Sequence, residues 1–207
     1  MNLPDEIKTI DEFQETTTTV KKSSFIAQIY QVTAEDEIKK YLTKSKKKYY
    51  DATHHCFAYK LANGNVRYSD SGEPSGTAGL RILNAIEHFE LKNLLVIVSR
   101  FFGGTKLGVG PLGKAYYESA HKVLNNSKIS TKHLFQKVTI SAEINQVSFI
   151  HRILANHKSI ITDSEYQDNL KLSCLLRSSE FELISQKLSE SSKNKVILGT
   201  NYELIYK

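Results

Sequence analysis

Residues 99–116 read SRFFGGTKLGVGPLGKAY, and how this stretch divides into strand, loop and helix decides the fold of the first half of the chain. Just upstream, residues 94–98 (LLVIV) form a continuous apolar run that fits a strand buried on both faces. Downstream, residues 113–126 place Ala115, Ser119 and Val123 at i, i+4 and i+8, the period of a helix. Glycine fills the space between. Only ten glycines occur in 207 residues, and eight of them fall between Gly72 and Gly113, together with Pro74 and Pro111. Glycine gathered in this way marks backbone that takes positive φ or that something approaches closely.

Two nucleotide-binding patterns are nearly met here, and both fail on detail. Gly108, Gly110 and Gly113 satisfy GxGxxG, but FGGTKL separates the strand from Gly108, and no acid appears between Glu118 and Glu143 to take a ribose. The P-loop pattern requires Ser or Thr after the lysine, whereas Ala115 follows Lys114, and Pro111 removes an N–H from the cradle. A more general chemistry survives. Arg100, Lys106 and Lys114, with the backbone of Gly103, Gly104 and Gly108, surround a glycine turn that runs into a helix N-terminus. Free N–H groups beside cations suit an anion. Close strand–helix packing accounts for the same glycines equally well.

Charge points the same way. The net charge is +6, and residues 51–134 carry ten Lys/Arg against six acids, a surplus the flanking segments lack. A basic excess beside the glycines favours anionic partners. No apolar run approaches the ~18 residues of a membrane span, and the acidic N-terminus has no secretory h-region. Cys56 and Cys174 lie far apart without a CxxC partner. They read as two buried thiols of a cytoplasmic protein rather than a zinc or redox pair.

Around the central stretch, TTTTVKKSSFIAQIYQV reads as one or two strands, and residues 34–48 as a helix with acids first and lysines last. Residues 54–61 and 66–69 form a hairpin about Asn63-Gly64-Asn65, and LRILNAIEHFE a further helix. From about residue 135 the pattern becomes β-α-β-β-α-β, the ferredoxin-like arrangement. The polar, aperiodic SKISTKH places a boundary near residues 127–132, giving domains 1–132 and 133–207.

Two further constellations carry ionisable groups. In residues 69–77, SDSGEPSGT, Asp70 and Glu73 form a spaced carboxylate pair suited to acid/base work. Turn chemistry explains the stretch as well, with Gly72 at positive φ and Ser75 or Thr77 capping the next helix. In DATHHCFAY, His54 and His55 point to opposite faces of a strand and cannot easily share a metal. No metal site and no cofactor are expected.

DATHHCFAY, SDSGEPSGTAG and RFFGGTKLGVGPLGKAY, in this order and spacing, resemble the signature blocks of the Impact/YigZ family, and KKSSFIAQI resembles its opening strand. Ser71 stands where family members commonly carry an acid, which weighs against a multi-carboxylate metal site. The resemblance implies an α+β fold: an N-terminal domain similar to the second domain of ribosomal protein S5, then a ferredoxin-like domain similar to those of elongation factor G. It also implies a link to translation, since eukaryotic relatives regulate a translation-control kinase through its activating partner.

The expected function is therefore a non-enzymatic cytoplasmic protein that binds RNA or the ribosome and regulates translation. Arg100, Gly103, Gly104, Lys106, Gly108 and Lys114 would hold phosphates, and Phe102 or Tyr59 would stack on bases. One alternative is an enzyme acting on a phosphorylated small molecule or nucleotide at the glycine loop, with His54, Asp70 and Glu73 as its acid/base set. The other is a protein-binding adaptor in translation control. No membrane partner is expected.

Overall fold

The computed structural model describes residues 3–191 and 196–207. The LLVIV run lies in a strand, Leu94–Phe101, whose first seven residues are all buried. Its side chains alternate between two cores. Leu94, Val96 and Val98 join one cluster, while Leu95 and Ile97 join another on the opposite face. A strand covered on both sides needs apolar residues at every position, and this one has them.

The chain divides into two compact units, Ile7–Thr131 and Lys132–Lys207 together with Leu3–Glu6. After β1 (Glu6–Ile10), the first unit runs β2 (Gln14–Val20), β3 (Ser23–Gln31), α1 (Glu35–Lys48), β4 (His54–Lys60), β5 (Val66–Ser69), α2 (Gly79–His88), β6 (Leu94–Phe101) and α3 (Val109–Asn125). The sheet order is β2-β3-β6-β4-β5, antiparallel at every pairing. Helices α2 and α3 cover one face through Ile82, Ile86, Ala120 and Val123. Helix α1 covers the other through Ile38. At the start of α1 the Glu37 carboxylate accepts the Thr33 N–H at 2.6 Å, so an acid of the first turn supplies the cap.

The second unit continues through β7 (Ile129–Glu143), α4 (Val147–Asn156), β8 (Ile160–Tyr166), β9 (Asn169–Arg177), α5 (Phe181–Ser191) and β10 (Ile197–Tyr206). Its strands lie in the order β10-β7-β9-β8, all antiparallel, the arrangement of a ferredoxin-like βαββαβ sheet. Ile150, Leu154, Ile184 and Leu188 pack from the two helices onto Val138, Ile140, Leu172 and Leu176. The protein is thus α+β.

Two local expectations change, and one strand goes unread. Helix α3 begins at Val109, a full turn before residue 113, because Pro111 sits in the first turn where its missing N–H has no partner to lose. Strand β7 begins at Ile129, inside the polar segment 127–132, rather than near residue 135. Strand β1 carries no strong signal of its own and lies beside β7 in the sheet. Its partner is more than a hundred residues away, beyond the reach of local patterning.

Candidate functional site

In the β4–β6 ladder His54 pairs with Arg100, which sets an imidazole and a guanidinium side by side at one end of the sheet. The loop between β5 and α2 folds over this end, and its two carboxylates take different directions. Asp70 turns into the backbone: Oδ2 accepts the Gly76 N–H at 2.9 Å, and Oδ1 accepts those of Ala78 at 2.9 Å and Gly79 at 2.8 Å. It is the N-terminal cap of α2, the task expected of Ser75 or Thr77; Thr77 Oγ1 donates instead to the Pro74 carbonyl. At Gly79 a Cβ would lie 2.6 Å from the backbone of Ser69, so only glycine allows the helix to start this close to β5.

Glu73 turns inward. Its side chain is 4% exposed, and Oε1 accepts Arg100 Nη1 at 2.7 Å and the Tyr116 hydroxyl at 2.8 Å. Oε2 lies 3.7 Å from His54 Nε2, while His54 Nδ1 lies 2.9 Å from the Ser71 carbonyl. Arg100 is held between two rings, 5.5 Å from the centroid of Phe25 and 5.6 Å from that of Phe102. Removing one partner of such a buried ion pair costs about 3–5 kcal/mol, because the other charge is left without compensation.

Behind this pair, the Cys56 sulfur lies 2.9 Å from the Asp70 carbonyl and 3.4 Å from the Tyr116 hydroxyl. Burial pushes its pKa up to about 12, the direction of a structural thiol rather than an activated one. Burial likewise pushes the Tyr116 phenol up, keeping its proton available to donate to Glu73. His55 faces the other side of the sheet, with Nδ1 2.8 Å from Ser99 Oγ. Cys174 is also free and buried. Among the described residues no group of three or more His, Cys, Asp or Glu is gathered to hold a metal ion.

In front of the Glu73–Arg100 pair lies a cavity of about 390 Å³. Pro74, Leu107 and Leu112 give it apolar walls, and Lys106, Phe102 and the start of α3 complete its lining. Here α3 is entered through Gly108, with φ +85° and ψ 158°, a conformation open to glycine and hardly to any other residue. No side chain caps this helix start.

The structure brings His54, Glu73, Arg100, Lys106 and Gly108 together around one cavity. The other expected site residues lie elsewhere. Asp70 is engaged by three backbone N–H groups and does not line the cavity. Gly103 packs against the Lys22–Ser23 backbone so closely that a Cβ would fall 2.1 Å from the Lys22 carbonyl carbon. Gly104 takes positive φ in the turn. Lys114, on α3, stands 3.6 Å from Glu118 and lines a neighbouring groove of about 460 Å³ with Arg81 and Tyr117. Arg100, expected to reach phosphates from the surface, has a side chain only 7% exposed. Tyr59, expected to stack on bases, is 6% exposed and packs in the core beside α1. Phe102, at 48%, is open. Tyr116 and Arg81 escape sequence reasoning, since helical spacing marks Tyr116 only as core and Arg81 only as a surface cation.

Residues 21–124, half of the chain, match the Impact N-terminal domain. The chain belongs to the Impact family. It is similar to the IMPACT family member YvyE of Bacillus subtilis (strain 168), at 30% identity over 189 residues covering 90% of this chain and 87% of the relative. It is similar to the IMPACT family member YigZ of Escherichia coli (strain K12), at 28% identity over 183 residues, 86% of this chain and 90% of the relative. A solved structure described only as that of a hypothetical protein aligns with a TM-score of 0.69 at 26% identity, over 95% of this chain and 98% of that one. The cavity-lining residues, from His54 to Leu112, all fall inside the Impact domain. No helix among the described residues is long and apolar enough to cross a membrane.

Proposed function

We propose that this Impact-family chain is a non-enzymatic, cytoplasmic RNA- or ribosome-binding protein that acts in translation, with its contact surface around the start of α3. One observation carries the reading: the exposed Phe102 ring shares a cavity lining with Lys106 and the uncapped start of α3, and Val109 joins that cavity to the groove holding Arg81 and Lys114. An open aromatic ring beside several cations is what a single-stranded nucleic acid uses, one for base stacking and the others for phosphates. Arg100 contributes indirectly, by holding the end of β6 in place through Glu73.

The test is co-sedimentation with ribosomes on sucrose gradients at low and moderate salt, for the wild type and for Arg81→Ala/Lys106→Ala/Lys114→Ala. Binding that weakens with salt and is lost in the triple variant is the expected result. A wild type that stays at the top of every gradient overturns the reading.

A second reading has its own observation, His54 and Glu73 lining the cavity 3.7 Å apart. That arrangement favours an enzyme acting on a phosphorylated small molecule. Asp70, held by the α2 backbone, drops out of its acid/base set. The adaptor role in translation control would appear as partner capture that survives nuclease treatment.

A further inference from the structure

The 390 Å³ cavity has a property that outer-surface RNA contact does not call on: a buried guanidinium with an unpartnered N–H. The Arg100 guanidinium gives Nη1 to Glu73, while its Nε is buried and has no hydrogen-bond partner among the described residues. A guanidinium carries five N–H donors, more than one carboxylate can take, and its remaining donors suit a carboxylate or phosphate. A buried donor without an acceptor is destabilising unless something supplies one. Arg100 lines the cavity, and so does the first turn of α3.

That helix start is the second feature. Gly108 provides no side-chain cap, and the N–H groups of Val109 and Gly110 have no acceptor among the described residues. Lys106 adds a third positive group to the lining. Glu73 is the one carboxylate there, and Arg100 offsets its charge, so the cavity is net cationic. Its remaining walls are apolar, with Pro74, Leu107 and Leu112 inside and the Phe102 ring at the edge. A volume of this size lies at the lower end of the range for small-ligand sites.

We propose that this cavity binds a phosphomonoester carried on a flat ring, the chemistry of a nucleoside monophosphate. The phosphate is held by the Arg100 guanidinium, Lys106 and the α3 N-terminus, and the ring lies against Phe102 and the apolar walls. The same chemistry has two sources, a free mononucleotide or the 5′-phosphorylated end of an RNA. The proposal names the ligand class for the second reading above, needs no reaction, and does not depend on ribosome binding.

Calorimetric titration and thermal shift with adenosine 5′-monophosphate, with uridine 5′-monophosphate and with unphosphorylated adenosine test it. The monophosphates are expected to bind saturably and raise the melting temperature, and adenosine to do neither. Arg100→Lys keeps a cation for Glu73 but removes the guanidinium's additional donors, and is expected to weaken binding at least tenfold. Lys106→Ala, on the surface, is expected to weaken it severalfold with no change in the melting temperature of the free protein, so the test survives if Arg100→Lys folds poorly. Two short RNAs, one 5′-phosphorylated and one 5′-hydroxyl, separate the sources. Preference for the phosphorylated RNA over the free nucleotide assigns the site to RNA ends, and the reverse assigns it to free nucleotide. No response to either monophosphate at millimolar concentration overturns the proposal, even if both RNAs bind, and that last result leaves the ribosome reading standing. Undiminished binding in both variants overturns it too, since the ligand would then lie elsewhere.

Discussion

Helices α2 and α3 pack side by side on one face of the sheet, and both begin from glycine-rich loops, yet their first turns are completed in opposite ways. The start of α2 is closed by the chain itself: Asp70, eight and nine residues upstream, takes the N–H groups of Ala78 and Gly79. The start of α3 opens from Gly108 and has no side-chain cap. The positive end of a helix attracts an anion, and α2 has one built in. At α3 the adjoining cavity is lined by Lys106 and Arg100, with Glu73 committed to Arg100 and Tyr116 rather than to the helix. One loop supplies its own anion; the other, on the proposal above, receives one from a ligand.

The contrast can be broken most forcefully at α2. Asp70→Ala leaves three backbone donors without their charged acceptor and is expected to destabilise the protein by about 3 kcal/mol. Chemical denaturation would show it as a lower midpoint at unchanged slope, and Asp70→Asn should lose less. A loss under about 0.5 kcal/mol, the scatter of an ordinary surface substitution, would mean that Asp70 does not hold the helix start. At α3, Gly108→Ala forces an L side chain into a glycine conformation, at φ +85°, and is expected to cost about 2 kcal/mol. Space is not the obstacle, since nothing lies within 4 Å of the added Cβ, so a neutral result would show that the loop relaxes freely. The smallest effect sharpens the comparison. Lys106→Ala/Lys114→Ala should change stability by less than about 0.5 kcal/mol, because both lysines are exposed. The same pair should flatten the salt dependence of RNA binding in a filter or anisotropy assay.

Much of this architecture is legible in the order of residues alone. The two cores meeting on β6, the α1 helix with acids leading and lysines trailing, the hairpin about Asn63–Asn65 and the βαββαβ order all follow from patterning along the chain. What escapes that patterning shares one cause. Asp70 does not read as a cap because the helix-capping signal is sought one or two residues before the helix, and here it crosses a loop. Tyr116 draws no reading of its own, because its ring is in the core and only its hydroxyl reaches Glu73. Arg100 reads as a surface cation because nothing local shows that a carboxylate is waiting for it.

The sequence by itself determined the strand at 94–98, the helical faces and the glycine-rich turn, since hydrophobic period and backbone freedom are properties of neighbours along the chain. Only the tertiary structure decided that Glu73 meets Arg100, 27 residues away, and Tyr116, 43 residues away. Those partners are chosen by how the sheet and helices bring distant backbone together, and a buried charge is stable only where that packing delivers its counter-charge.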